Sequence, residues 1–168
     1  MASQFQRDLI AVVPKLRRFA MSLTGNAADG DDLVQSACEK ALRAQDQFQA
    51  GTRFDSWMYR IVQTLWLDDM RKRKVRGPSV DPADIDIGDE GKAARLPEDR
   101  MMLAQAAAAM AALPEAQRAT LSLVAIEGLS YKEAALVLDV PVGTVMSRLS
   151  RAREALLPQM GMSRGGRQ

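Results

Sequence analysis

The run Gly77-Pro78-Ser79-Val80-Asp81-Pro82 constrains this chain more than any other feature. Two prolines and a glycine within six residues end any helix that reaches them. No helical period follows through Gly91, and the patterning resumes only at Pro97-Glu98-Asp99. There a proline suits a first turn and the acids suit the positive end of a helix dipole. The chain therefore divides into two helically patterned modules, residues 1–77 and 97–160. Residues 78–96, acidic and poor in large apolar side chains, are expected to form a flexible linker, and residues 161–168 a disordered tail. Nothing in the chain reads as a series of strands, so the expected fold class is all-α: two small helical domains on an acidic connector. Each module is small enough that a full core is marginal, and contacts with partners should add stability.

In the first module Phe5, Leu9, Val12, Val13, Leu16, Phe19 and Leu23 recur at steps of three and four, the mark of an amphipathic helix. Thr24-Gly25-Asn26 stops it, and the acids from Asp29 to Asp32 are expected to cap a second helix carrying Leu33, Ala37, Ala41 and Leu42. Gln49-Ala50-Gly51-Thr52 breaks the pattern again before a third helix, from about Phe54 to Lys74, which ends in Arg71-Lys72-Arg73-Lys74.

In the second module Leu113-Pro114 opens a helix expected to run to Glu127, where Gly128 ends it. Ser130-Tyr131-Lys132-Glu133 has the form of a capping box. The short helix behind it runs to Leu138, Asp139-Val140 turns, and Pro141 starts another. Two short helices joined by a tight turn make a helix-turn-helix, whose second helix can enter the major groove. Val142, Val145, Leu149, Ala152 and Leu156 line the face of that helix expected to pack inward. Thr144, Ser147, Arg148 and Arg151 line another face, flanked by Met146 and Ser150. Hydroxyls and guanidinium groups near a helix start are what base edges and phosphates require.

Charge supports the same reading once it is resolved along the chain. The net charge is only +2, yet residues 53–80 carry +4, residues 81–99 carry −5, and residues 144–168 carry +4. Two cationic stretches on or beside helices, with an acidic one between them, favour nucleic acid as a partner. The chain has no histidine and a single cysteine, Cys38. Ser-His-Asp and Cys-His catalysis and a Cys/His zinc site are thereby excluded, as is an intramolecular disulfide. Cys38 sits in an apolar-periodic segment and is expected to be a buried small hydrophobe. Asp68 and Asp69 beside a basic run raise a metal-dependent nuclease, but adjacent helical positions diverge and make a poor ligand set. No apolar run approaches the ~18 residues that cross a bilayer, and the first residues lack a signal-peptide layout.

Two blocks of residues resemble the extracytoplasmic-function (ECF) sigma subunits of bacterial RNA polymerase. Asp31-Asp32-Leu33-Val34-Gln35 and Phe54-Asp55-Ser56-Trp57-Met58-Tyr59-Arg60-Ile61 are similar to region 2 of that family. Leu113-Pro114, the stretch from Glu127 to Ala135, the stretch from Val142 to Leu149, and Arg151-Ala152-Arg153 are similar to region 4. The resemblance covers most of the chain, and the order and spacing of the blocks around an acidic linker make it specific.

The resemblance implies a promoter-specificity factor that is not an enzyme, has no catalytic residue, cofactor or metal, and works in the cytoplasm. Its implied partners are core RNA polymerase, promoter DNA and an anti-sigma factor. Asp31, Asp32, Leu33, Gln35 and Glu39 would meet the polymerase, with an N-capped core helix carrying solvated acids as the bland alternative. Arg53, Phe54, Trp57, Tyr59, Arg60, Gln63 and Thr64 would meet the melted minus-10 element. Thr64 departs from the Asn that many relatives carry. Trp66 reads as core, and Trp57 as either core or DNA contact. Arg71, Lys72, Arg73 and Lys74 would hold the DNA backbone, and Thr144, Met146, Ser147, Arg148, Ser150 and Arg151 the minus-35 element. The acidic residues 81–90 would thread the RNA exit path. The alternative function is a sigma-like mimic that sequesters an anti-sigma factor without binding DNA.

Overall fold

The computed structural model describes residues 1–76 and 97–159. The linker (78–96) and the tail (161–168) fall outside the described residues. The first module holds α1 (Gln4–Thr24), α2 (Ala27–Arg43), a short 3-10 turn (Gln45–Gln47) and α3 (Phe54–Arg76). The second holds α4 (Pro97–Ala111), α5 (Glu115–Leu121), a π-helical turn (Ser122–Ile126), α6 (Tyr131–Leu138) and α7 (Val142–Gln159). The described residues contain helices and no strand.

The apolar stripe of α1 goes where its spacing sends it. Leu9, Val12, Leu16, Phe19, Ala20 and Leu23 are buried against Val34, Ala37 and Ala41 of α2 and Met58, Tyr59, Ile61, Val62 and Trp66 of α3. A capping box starts the helix: the Ser3 hydroxyl accepts the Gln6 N–H, and the Ser3 N–H reaches the Gln6 side chain. Gly25, at φ 79°, ends it in the left-handed conformation that glycine adopts without a steric cost.

Two local expectations are corrected. The acids at 29–32 do not supply the cap of α2. Asn26 does: its side-chain oxygen accepts the Asp29 N–H at 2.8 Å, and its amide donates to the Asp29 carboxylate at 2.8 Å. The left-handed Gly25 reverses the chain at once, so the helix begins at Ala27 and the acids lie within it. Nor is the helix from residue 115 regular to Glu127. It widens at Ser122–Ile126, where the Glu127 N–H bonds the Ser122 carbonyl at 3.0 Å, five residues back. Such π turns insert a residue and re-aim the side chains beyond it, and they recur at functional sites. Gly128, at φ 75°, then closes the element.

The capping box of α6 forms as expected, with Glu133 N–H to Ser130 Oγ at 3.1 Å and Ser130 N–H to the Glu133 carboxylate at 3.0 Å. Asp139 takes the left-handed position at the turn, φ 54°. On α7, Val145, Leu149 and Ala152 are buried and Leu156 is half-buried, but Val142, expected to pack inward, is exposed in the first turn of the helix. Cys38 is half-buried rather than fully enclosed, and burial pushes its thiol up from the ordinary value. Trp66 is core, as expected.

The core does not stop at the module boundary. Buried residues of both modules form a continuous cluster, and α3 lies against α6 while α1 lies against α5.

Candidate nucleic-acid and polymerase interfaces

On α2, Asp31, Asp32, Gln35 and Glu39 are exposed and Leu33 is half-buried. Steps of three and four place the polar four along one side of the helix. Asp31 receives the Arg17 guanidinium at 2.8 Å from α1. The side opposite, Val34, Ala37 and Ala41, is buried, so α2 is held by its apolar face and presents an acidic one.

At the C-terminal end of α3, Arg71, Lys72 and Lys74 are exposed and Arg73 is half-buried. Arg71 lies 4.0 Å from Asp68, and Arg73 lies 3.2 Å from Asp69. These two aspartates, the candidate metal ligands, therefore pair with the basic run. Among the described residues no group of three or more carboxylates or thiols is placed to hold a metal ion.

The minus-10 candidates separate into three sets. Phe54 and Trp57 join Phe5 and Phe48 in an aromatic cluster with ring centroids 5.2–5.9 Å apart. Phe5 meets Phe54 and Trp57 edge-on, which ties the start of α3 to the start of α1. Trp57 is thus part of a packed group while remaining half-buried. Thr64 is exposed and points away from the core. Arg53, just before α3, and Tyr59 and Arg60 on it bond to the second module. Tyr59 is fully buried, with its ring edge-on to Phe19 at 5.5 Å. Its hydroxyl donates to the Glu127 carboxylate at 2.9 Å. Arg60 donates to the Leu136 carbonyl at 3.2 Å, and Arg53 bonds both Asp55 and Glu133. Gln63 is 7% exposed, and its side-chain oxygen has no hydrogen-bond partner.

Further residues complete this contact. Arg18 of α1 grips Glu127 with two bonds, at 3.0 and 3.3 Å. Trp66 Nε1 donates to Glu115, and Arg118 donates to the Leu23 carbonyl at 3.2 Å and to the Ala111 and Leu113 carbonyls. Burial, then the hydrogen bond to Glu127, raises the Tyr59 phenol well above its ordinary value. Burial alone would raise Asp55, but its bonds from Arg53 and the Ser56 N–H outweigh it and hold the carboxyl low. The Ser130 N–H, then the rest of the cap and Arg53, holds Glu133 low. Sequence reasoning missed Arg18, Glu115 and Arg118, because each reads locally as an ordinary helix-surface charge. Only the meeting of two modules gives them partners.

On α7, Met146, Ser147, Ser150 and Arg151 are exposed and Thr144 and Arg148 are half-buried. The Ser147 hydroxyl donates to the Thr144 carbonyl at 3.1 Å, one turn back. The buried Val145, Leu149 and Ala152 hold the opposite side against the module, so Met146, Ser147, Ser150 and Arg151 lie outward while Thr144 and Arg148 border the packed face. No helix among the described residues is long and apolar enough to cross a membrane.

Comparison with known proteins agrees with this anatomy. Residues 10–76 match the model of Sigma-70 region 2, and residues 103–156 match that of Sigma-70, region 4. The ECF RNA polymerase sigma factor EcfG of Rhodopseudomonas palustris (strain TIE-1) is 39% identical over 149 residues, covering 89% of this chain and 81% of that protein. The ECF RNA polymerase sigma-E factor of Escherichia coli (strain K12) is 35% identical over 139 residues, 77% of this chain and 73% of that one. Among solved structures, the sigma factor RpoE in complex with the anti-sigma factor NepR from Bartonella quintana is similar at a TM-score of 0.78 and 29% identity, over 97% of this chain and 100% of that one. The PhyRSL–NepR complex from Sphingomonas sp. Fr1 gives 0.69 at 25% identity, over 99% and 98%. Two family regions in the right order, together with relatives at 35–39% identity, lead to one conclusion: the chain belongs to the ECF sigma factors of the sigma-70 family.

Proposed function

We propose that this chain binds core RNA polymerase, recognises the minus-35 and minus-10 elements of its promoters, and directs transcription initiation, with the polymerase supplying all the chemistry. The observation that carries the reading is α7, where Met146, Ser147, Ser150 and Arg151 lie outward, bordered by Thr144 and Arg148, behind a capped α6 in a helix-turn-helix. A helix so held can lay its first turns in the major groove, with hydroxyls and guanidinium groups toward base edges. The working units are residues 1–77 and 97–160, joined by residues 78–96. Arg71, Lys72, Arg73 and Lys74 would hold phosphates. Phe54, Trp57, Tyr59, Arg60, Gln63 and Thr64, with Arg53, would receive the opened strand, stacking and hydrogen bonding offsetting the cost of unpairing. Asp31, Asp32, Leu33, Gln35 and Glu39 would dock on the polymerase, which places the protein in the cytoplasm.

Run-off transcription tests this. Purified chain plus core enzyme should initiate at a subset of promoters from its own genome, and Arg148→Ala with Arg151→Ala should lower the yield at least tenfold. No core binding and no promoter-dependent transcript would sink the proposal. The likeness to RpoE held by NepR supports control by an anti-sigma factor, which pull-down from the native host should recover. The likeness to PhyRSL, solved in complex with NepR, leaves a second reading, a mimic that only sequesters an anti-sigma factor. Promoter binding in the presence of core polymerase separates the two, and the exposed basic residues on α3 and α7 favour the first.

A further inference from the structure

We infer that Phe5, in the first turn of α1, is a positioning residue for the minus-10 site: its ring holds Phe54 and Trp57 in the orientation that receives the opened strand. This role rests on the promoter reading and adds a residue from outside the matched region, since the likeness to Sigma-70 region 2 begins at residue 10. Three of the chain's four phenylalanines and one of its two tryptophans gather at this one place, too large a share to be incidental. Phe5 meets Phe54 at 5.3 Å and 86°, and Trp57 at 5.9 Å and 75°. Phe48, from the loop before α3, closes on the same two rings at 5.2 and 5.3 Å. All four rings nevertheless stay half-buried. A cluster serving stability alone gains by closing over its aromatic surface. Here Trp57 has three ring neighbours and still leaves part of its indole open, so its orientation is fixed while a surface remains for a base.

Both sides of the contact are tied down. Helix ends and chain termini fray unless something holds them. The first turn of α1 is held by its capping box and by three further bonds. The Gln4 amide donates to Asp8 at 2.8 Å, and Arg7 donates to the Gln4 side chain at 2.9 Å and to the Ala2 carbonyl at 2.6 Å. All of these bonds lie within residues 2–8, the turn that carries Phe5. On the other side, the Thr52 hydroxyl and N–H both donate to the Gln49 carbonyl, at 2.7 and 3.2 Å. The Asp55 carboxylate accepts the Ser56 N–H at 2.8 Å and the Arg53 guanidinium. Phe5 joins these two fixed ends. Rings held in their working geometry before a strand arrives avoid the entropy cost of ordering them on binding. Without the Phe5 ring, Phe54 and Trp57 keep their places in the chain but lose a neighbour that fixes their rotamers.

The test uses the full chain with core polymerase. The probe is a single-stranded oligonucleotide spanning the minus-10 stretch of a promoter that the run-off assay yields, set against a scrambled strand of the same composition. Phe5→Leu keeps an apolar side chain without a ring at a half-buried position, so it should fold, which circular dichroism would verify. It should lower the preference for the minus-10 strand over the scrambled one by roughly three- to tenfold, the size of one or two ring contacts. Binding of the scrambled strand, governed by phosphate charge, should match the parent, as should binding of a duplex carrying the minus-35 element. Phe5→Tyr keeps the ring and should restore the preference. Equal preference in Phe5→Leu and the parent would overturn the positioning role. So would a loss shared alike by the scrambled strand and the minus-35 duplex, or a Phe5→Tyr variant no better than Phe5→Leu. A parent that yields no promoter-dependent transcript removes the promoter reading, and the role of Phe5 with it. A parent that discriminates between the strands, with Phe5→Leu discriminating equally, removes the role of Phe5 alone.

Discussion

Tyr59 shows how far a residue's surroundings can move its chemistry. A phenol enclosed by Phe19 and bonded to Glu127, with Asp55 and Arg18 near, is held protonated well past its ordinary 10.0. An acid whose folded pKa is raised contributes stability that is whole below the unfolded value and fades as pH climbs above it. Stability should therefore be flat to about pH 10 on this account and fall beyond it, and Tyr59→Phe should abolish that alkaline slope in denaturant titrations. Gly30 makes a different residue-scale case. A Cβ there would come within 3.1 Å of Met21 Cγ and 3.4 Å of both the Met21 nitrogen and Thr24 Oγ1. The glycine lets α2 cross close to the end of α1, so Gly30→Val should overpack that crossing and cost ~1–3 kcal/mol in thermal or urea unfolding. The sequence offered no sign of this contact, because a helical glycine looks the same whether or not a neighbour crosses it.

Elements were the most legible level. The three-and-four spacing in α1 and the Ser130–Glu133 box are local signals, carried by side chains that act within one or two turns, and both came out as read. Ser130→Ala should remove an acceptor from the first turn of α6 and lower stability by ~1 kcal/mol, measured by chemical denaturation. Since α6 supports α7, the same variant should also weaken any binding that α7 provides. The two element-level errors have a common cause. Asn26 capped α2 ahead of the more conspicuous acids because Gly25 turned the chain early, and the π turn at Ser122–Ile126 interrupted a sequence with no breaker in it. Propensity has nothing to say about a widened turn that packing favours.

At the scale of the whole molecule, the expectation of two modules on a tether needs an addition. The modules share a continuous core, and Trp66 and Tyr59 are buried where they meet. Separately expressed residues 1–77 and 97–160 should each melt more than ~5 °C below the intact chain by calorimetry, since loss of even 1 kcal/mol shifts a domain of that size by several degrees. Melting of both pieces at the temperature of the whole would mean that the interface contributes nothing.

The sequence by itself determined the all-α class, the helix-turn-helix and the family, because periodicity and caps act over a few residues and two motif blocks survive in order. It also named the faces of α2 and α7. Only the tertiary structure decided that Arg53, Tyr59 and Arg60 face another part of the same chain, and that Glu127 binds Arg18 across 109 positions of sequence. Pairings of that kind leave no local pattern. They exist only when separate helices are brought together and water is expelled from between them.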